Sequence, residues 1–436
     1  MLKNDNSQNT ETSINVGDTT MIPSAMSAAQ YSSFCGPIEI RTVPTPTLDE
    51  KNINHSDSIL LKVLATGVCR SDWHGWKGHD SDIKDHGLPF TPGHECSGII
   101  VQIGSNVKKC QIGQSVVVPF ILSCGTCREC HCGKPTVCEN QAQPGFTIQG
   151  SFAEYVRIPR ADRNVCVLPQ QVDFVEAAAL GCRFTTAYRA VVQQGEWGSS
   201  SSNGYFMIDN CMTCAIFGCG GLGLSCIMIA KAVMVEKQRN MIKSQNPLTY
   251  QIIAIDVSTK ALRKAKEVGA THLINASNYA VSIQSKNKKY NNSNDYVRDT
   301  LFQITNKKGA DLSIDAAGFV STCENAVYCT RRGGKMIQVG LPINPHSRPP
   351  IIPMGMIAGK EIEIIGSHGC AAHDIPNILN MVATGVLQPK KLVGKEVSLF
   401  EGAKAIQDMD KGSPIGITMI TRFNDFGQNL SKNSRL

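Results

Sequence analysis

The segment Gly218-Cys219-Gly220-Gly221-Leu222-Gly223 constrains the fold of this chain more than any other. Alone, the pattern G-x-G-x-x-G is weak. Here it follows the strand-like run Ala-Ile-Phe (215–217) and opens the helix-like segment LGLSCIMIAKA (222–232), the context that a dinucleotide loop requires. Gly218 permits the tight turn, Gly220 lets the backbone approach a pyrophosphate, and Gly223 lets helix pack on strand. Gly221 and Leu222 complete the turn at the helix N-terminus, whose free N–H groups and partial positive charge suit phosphate. Asp256 ends the next apolar run, IIAID. A carboxylate there accepts hydrogen bonds from the ribose hydroxyls of NAD and repels the 2′-phosphate of NADP, so NAD is the expected cofactor. The distance from the glycines exceeds the usual spacing, and the polar stretch 236–250 reads as an insertion that explains the excess.

From Asp173 onward, apolar runs alternate with helical segments. DFVEAAALGCRFTTAYRAV reads as a helix capped by Asp173, with Glu176 three residues on. AIFG, IIAID, HLIN, LSIDAAG, KMIQVG and IEIIGS then read as strands, with KALRKAKEVG among the helices between them. That alternation predicts a doubly wound parallel sheet. Before Asp173 the style differs. SILLKVLATGVC, CSGIIVQIG, QSVVVPF and FAEYVRI are short runs separated by Gly and Pro, which predicts a β-rich domain. Residues 1–22 are polar and aperiodic and read as a disordered extension. The polar stretches 195–210, 236–250 and 284–296 read as surface insertions.

Composition narrows the function class. The chain has 436 residues, 42% of them apolar, enough for large cores and two or three domains. Its net charge of +7 is modest and spread among acids, which argues against a nucleic-acid groove. No apolar stretch is long enough to span a bilayer, and the N-terminus lacks a signal-like apolar region. Eighteen cysteines in a chain expected to be cytoplasmic point to reduced thiols and metal binding rather than disulfides. The C-terminal Ser434-Arg435-Leu436 is close to a peroxisomal address, which makes the peroxisome the alternative compartment.

Two cysteine-containing constellations stand out. Cys124, Cys127, Cys130 and Cys138 follow C-x₂-C-x₂-C-x₇-C in a loop punctuated by Gly125, Gly133 and Pro135. Four thiolates on one loop can close a tetrahedron around Zn²⁺ and leave no exchangeable position, the mark of a structural site. His131 and Cys132 are left over. The second set is dispersed: Cys69 in TGVCRSDWHG, His94 and Glu95 in PGHECSG, and Cys182 in LGCRFTTAY. Two cysteines and a histidine would leave zinc a fourth, exchangeable position, although spacing alone does not show that they converge.

At these residues the chain resembles a zinc-dependent alcohol dehydrogenase of the medium-chain dehydrogenase/reductase superfamily. The glycine loop, the GHE segment, the four-cysteine loop and Cys-Arg-Ser-Asp occur in the family's order over about residues 24–422. The resemblance implies an α/β protein with a GroES-like β-barrel catalytic domain (23–182, including a structural zinc lobe at about 119–140), a Rossmann coenzyme domain (183–366) and a C-terminal return (367–436). It implies two zinc ions per chain and NAD, with Cys69, His94 and Cys182 as catalytic zinc ligands. Glu95 would approach the metal during ligand exchange, and Asp72 would orient the ligand histidine. Ser71 and His74 would relay the alcohol proton. Arg70 would contact the cofactor pyrophosphate, and Thr186 would lie beside the nicotinamide.

The reaction so implied is reversible oxidation of a primary or secondary alcohol to an aldehyde or ketone. Polyol or glutathione–formaldehyde adduct dehydrogenases are alternatives, though polyol enzymes often carry Glu where this chain has Cys182. A zinc- and NAD-binding protein without catalysis is the alternative from another class. A homodimer or homotetramer is expected, with no nucleic-acid or membrane partner. Trp73, Trp76, Phe90 and Phe120 stay open between pocket lining and core.

Overall fold

The computed structural model describes residues 21–49, 52, 55–199, 211–240, 249–279, 290, 292–342, 347–412 and 414–423. Residues 1–20 and the C-terminal tripeptide lie outside the described residues, and so do the expectations placed on them. Among the described residues, no helix is long and apolar enough to cross a membrane.

The chain opens with a two-stranded antiparallel pair, β1 (Ala25–Gln30) and β2 (Glu39–Pro44). A larger sheet follows, built from β3 (Ile59–Val68), β4 (Glu95–Ile103), β5 (Ser115–Val118), β6 (Tyr155–Ile158) and β7 (Cys166–Val167). Adjacent strands in this part pair antiparallel, β3 with both β4 and β6. One apolar face holds Ile59, Leu61, Val63, Ile100, Val116 and Val156. Burial of such a stripe drives the sheet to curl over a core.

Six strands form the second sheet: β8 (Cys211–Phe217), β9 (Thr249–Asp256), β10 (His272–Asn275), β11 (Ala310–Asp315), β12 (Thr330–Gln338) and β13 (Glu363–Gly366). All pair parallel in the spatial order β10-β9-β8-β11-β12-β13. The alternation on β8 explains its unbroken apolar run. Cys214 and Ile216 face one core with Leu224, while Ala215 and Phe217 face the other with Val297 and Leu301. Helices cover both faces, as parallel sheets require. The strand order reverses between β8 and β11, so a crevice opens at their C-terminal ends, where Gly218 begins its turn. The fold is a GroES-like domain joined to a Rossmann domain, as expected.

After the parallel sheet, β14 (Val393–Ser398) and β15 (Ile417–Arg422) rejoin the first sheet, with Thr418 opposite Val68 and Ile420 opposite Thr66. Val397, Leu399, Ile406 and Ile420 pack with Val68, Trp76 and Phe90 in one cluster.

Most of each polar stretch lies outside the described residues, and the described ends join the fold directly. The helix Gly221–Asn240 runs on into the stretch at 236–250, because Glu-Lys-Gln-Arg are good helix formers, and β9 already begins at Thr249. Trp197 is 2% exposed and donates its indole N–H to the Ala230 carbonyl at 2.9 Å, so the first of these stretches begins inside the core. The third ends by capping the helix Ser293–Ile304, with the Asn292 side chain accepting from the Asp295 N–H at 3.0 Å.

Candidate functional site

Strand register explains how Cys69 and His94 meet. Gly67 near the end of β3 lies opposite Glu95 at the start of β4, so the residues just beyond the two strand ends are neighbours. The missing side chain at Gly67 is needed, since a Cβ there would overlap the Glu95 carboxylate. The third residue arrives on a helix. Asp173 caps its first turn, accepting from the Glu176 N–H at 2.8 Å, and the chain then widens into a π-helical turn over Leu180–Phe184 that carries Cys182. Such wide turns recur at functional sites. Gly181 lets this turn rest on β4, because a Cβ there would stand 2.6 Å from the Glu95 Cα.

The result brings together residues remote in sequence. One candidate ligand atom from each of Cys69, His94, Glu95 and Cys182 lies within 4.8 Å of the others. Asp72 braces the set. Its Oδ2 accepts from the Cys69 N–H at 2.8 Å, and its Oδ1 from the Gly93 N–H at 3.1 Å and from His94 Nδ1 at 2.9 Å. A carboxylate only accepts, so Nδ1 is the donor and Nε2 is turned toward the cysteines. His94 Nε2 is buried and makes no regular hydrogen bond, although the Cys69 sulfur beside it favours the charged ring. An orphaned buried nitrogen between two thiols fits a divalent metal of the zinc class.

The electrostatics agree with a thiolate site. A hydrogen bond from the Cys182 thiol holds Cys69 well below the usual thiol range, against its burial and with help from Arg183 and His94. Burial opposes charge on His94, but Asp72 and Cys69 outweigh it and raise its pKa well above the ordinary value. A metal entering here displaces that proton.

Sequence reasoning missed Arg183. Its Nε donates to Glu95 Oε1 at 2.9 Å, its Nη2 pairs with Oε2, and its backbone N–H also reaches Oε1 at 3.2 Å. Burial, opposed by Arg183 and reinforced by Cys69, pushes the Glu95 carboxyl above its usual range. The available signal was one charge inside the otherwise small and apolar run LGCRFTTA.

The glycine turn lies at the switch point. Gly218 has φ +98°, and a Cβ there would stand 2.6 Å from the Ala317 Cβ. A Cβ on Gly223 would overlap the Gly218 carbonyl oxygen, whereas one on Gly220 would meet nothing within 4 Å. The fold thus leaves open space at Gly220, and a cradle that a Cβ would fill fits a closely approaching dinucleotide. Leu222 packs partly against the core. Asp256 sits at the turn, with Oδ2 accepting from the Cys219 N–H and Oδ1 from the Ser258 N–H, each at 2.7 Å.

The remaining candidates are more scattered. Ser71 Oγ lies 3.8 Å from the Cys69 sulfur. His74 Nδ1 lies 3.0 Å from His79 Nδ1 rather than against Ser71. Burial, Arg70 and His79 push the His74 pKa down to about 4, so its ring is neutral near pH 7. Arg70 stacks on Trp73 at 3.9 Å and donates to the Met409 carbonyl at 3.2 Å. Thr186 is buried one turn beyond Cys182. Of the four aromatics left open, Trp76 and Phe90 belong to a core cluster. Phe120 instead packs edge-on against His94 and His368, with ring centroids 6.0 and 5.4 Å away, and Phe146 lies 5.0 Å from His94.

The second constellation is compact. Cys124, Cys127, Cys130 and Cys138 bring their sulfurs within 4.8 Å of one another. The Cys127 and Cys138 sulfurs are 3.7 Å apart, too far for a disulfide. Backbone N–H groups of Thr126 and Cys127 each donate to the Cys124 sulfur at 3.3 Å. The Thr126 hydroxyl also donates and, with these N–H groups, lowers the Cys124 pKa to about 5. Cys132 and His131 are exposed. Asn164 and Arg163 hold the base of the lobe through Ser123.

Comparison with known proteins agrees with this architecture. The alcohol dehydrogenase GroES-like domain family matches residues 55–170, and the zinc-binding dehydrogenase family matches residues 248–384. Sorbitol dehydrogenase of Bacillus subtilis is 30% identical over 393 residues, covering 89% of this chain and 95% of that protein. An alcohol dehydrogenase of Geobacillus stearothermophilus is 29% identical over 392 residues, covering 89% and 96%. The solved structure of alcohol dehydrogenase TADH from Thermus sp. ATN1 superimposes with a TM-score of 0.71 at 26% identity, covering 91% of this chain and all of that one.

Proposed function

Since this chain belongs to the zinc-dependent alcohol dehydrogenases of the medium-chain dehydrogenase/reductase superfamily, and is an NAD-dependent oxidoreductase, we propose that it interconverts a small alcohol with its aldehyde or ketone at the Cys69–His94–Cys182 site. The observation that carries the site assignment is the buried, unpaired His94 Nε2 between two thiols. When bound, zinc supplies Lewis-acid polarisation of the substrate oxygen, and NAD takes up or returns the hydride.

The chain's own residues do the rest. Cys69, His94 and Cys182 would hold the metal and leave a position for the substrate oxygen. Asp72 fixes the His94 tautomer and so aims Nε2. Ser71, beside Cys69, would accept the substrate proton as it gives up its own, and His74, neutral near pH 7, would take that proton onward once its ring turns from His79. Phe120 and Phe146 against His94 form an apolar wall that excludes water from the reacting carbon. Gly218, Gly220, Gly221, Leu222 and Gly223 cradle the pyrophosphate, Asp256 takes the adenosine ribose, and Thr186 flanks the nicotinamide. Arg70, drawn from its stack on Trp73, adds a donor to the pyrophosphate. Cys124, Cys127, Cys130 and Cys138 would hold the second zinc and stabilise their lobe.

A polyol substrate is the second reading, favoured by the likeness to sorbitol dehydrogenase. An absorbance assay for NADH over a panel of primary, secondary and polyhydric alcohols decides between them. Turnover confined to polyols would overturn the first reading, and no turnover in either direction would overturn both.

A further inference from the structure

Arg183 stands between the two halves of the site. Two of its guanidinium nitrogens are committed to Glu95, whose side chain is fully buried in the metal-ligating cluster. The third, Nη1, takes no part in that pair and faces the glycine turn. A Cβ placed on Gly221 would stand 3.2 Å from Arg183 Nη1 and 2.8 Å from its Cδ. Gly221 is also the first residue of a helix, whose N-terminus would suit the dinucleotide phosphates. The side chain is 11% exposed, so its charge acts in a poorly screened setting.

We propose that Arg183 is a positioning residue that couples the dinucleotide to the metal centre. Nη1 donates to the dinucleotide pyrophosphate at the Gly221 turn while Nε and Nη2 hold Glu95 in place. One guanidinium then serves two anions, and each weakens its hold on the other. Binding of the dinucleotide loosens Glu95, and Glu95 in turn limits how tightly the pyrophosphate is held. The reciprocity is thermodynamic. An arginine suits this place better than a lysine, because its planar fork addresses two partners at once.

The inference rests on the dinucleotide lying at the glycine turn, and the test separates the two claims. The dissociation constant of NADH, read from its fluorescence on the zinc-loaded full-length protein, is measured for wild type, Arg183→Gln, Glu95→Gln and the double variant. Zinc content and thermal unfolding are recorded in parallel. Arg183→Gln should raise the constant by about ten-fold or more, the worth of a charge-assisted hydrogen bond. Glu95→Gln should lower it, and that gain should vanish when Arg183 is already Gln. Arg183→Lys, which keeps charge without the fork, should fall between and carries the test if the Gln variant does not fold.

A constant unchanged by Arg183→Gln at full zinc content would overturn the proposal. So would a Glu95→Gln effect of equal size in both backgrounds, which is what a merely structural ion pair gives. Gly220→Ala serves as the reference for the dinucleotide site, since the fold has room for its Cβ. If Gly220→Ala weakens NADH and Arg183→Gln does not, this inference alone fails. If neither does, the dinucleotide assignment fails first.

Discussion

On the proposed reading, the four-cysteine lobe and the Cys69–His94–Cys182 cluster use the same chemistry for opposite ends. In the lobe, all candidate ligands come from one fifteen-residue stretch, Cys124–Cys138, and the site is complete within a loop. Four sulfurs occupy every tetrahedral position, so nothing is left for a substrate. In the cluster, the ligands come from the end of one strand, the start of its partner and a helix beyond, brought together by the pairing of Gly67 with Glu95. Three ligands, with the acid held by Arg183 and Phe120 packed on His94, would leave one position to exchange. A local site costs little long-range order and stabilises its own loop. A dispersed site exists only when the strands and the helix that carry it are folded together.

The sharpest way to break this contrast is to remove one ligand from each. His94→Ala should lower turnover by a factor on the order of 10³ or more, since Lewis-acid polarisation is worth several kcal/mol. Thermal unfolding should change little. Cys130→Ser should do the reverse in kind: loss of one zinc per chain and an unfolding midpoint lower by about 10 °C, from the loss of a structural metal. Cys132→Ser should keep both zinc ions, because its side chain is exposed and outside the cluster. Metal analysis of the three variants checks all of this.

A smaller effect belongs to the support of the dispersed site. Asp72→Asn keeps the size but loses the charge that fixes Cys69, Gly93 and His94. Zinc affinity there should fall by about 10- to 100-fold, read by competition with a chelator. The lobe's sulfurs are braced mainly by the loop's own backbone N–H groups, with the Thr126 hydroxyl as a side-chain donor to Cys124. At the coenzyme end, Asp256→Gly should shift the ratio of kcat/KM for NAD over NADP toward NADP by about ten-fold, the worth of a charged hydrogen bond. An unmoved ratio would remove Asp256 from the ribose site.

The smallest effect is one of pH. The folded His74 pKa, about 4, lies below the ordinary 6.5. Below pH 6.5 the unfolded chain takes up a proton that the folded chain refuses, so stability is lost as pH falls from 6.5 to 4. His74→Gln should flatten that part of the stability curve, measured by denaturant unfolding at stepped pH.

Much of this was legible in the sequence because it is local. The six strands of the parallel sheet declared themselves as short apolar runs, buried on both faces at the centre of the sheet and partly exposed at its edges, β10 and β13. The lobe's ligands could be counted from their spacing, and the glycine turn from its strand and helix context. What stayed illegible depends on register and long-range approach. Nothing in the spacing of Cys69, His94 and Cys182 shows that they meet; that follows from which residue of β3 faces which of β4. The roles of Gly67 and Gly181 are equally invisible, since each matters only for the carboxylate or backbone packed on it. Arg183 carried no reading in the sequence, because its part depends on Glu95 lying beneath it. The ends of the polar stretches were illegible for a related reason: Trp197 is buried against the helix Gly221–Asn240, and Glu-Lys-Gln-Arg extend that helix because propensity needs no apolar face.

The most direct test of the division between the two sites is the zinc content of the Cys69→Ser variant, taken with its turnover and its unfolding midpoint. The account predicts one zinc per chain, held by the four-cysteine lobe, no measurable turnover, and a midpoint close to that of wild type. Two zinc ions per chain with turnover retained would contradict it, as would loss of both metals together with the fold.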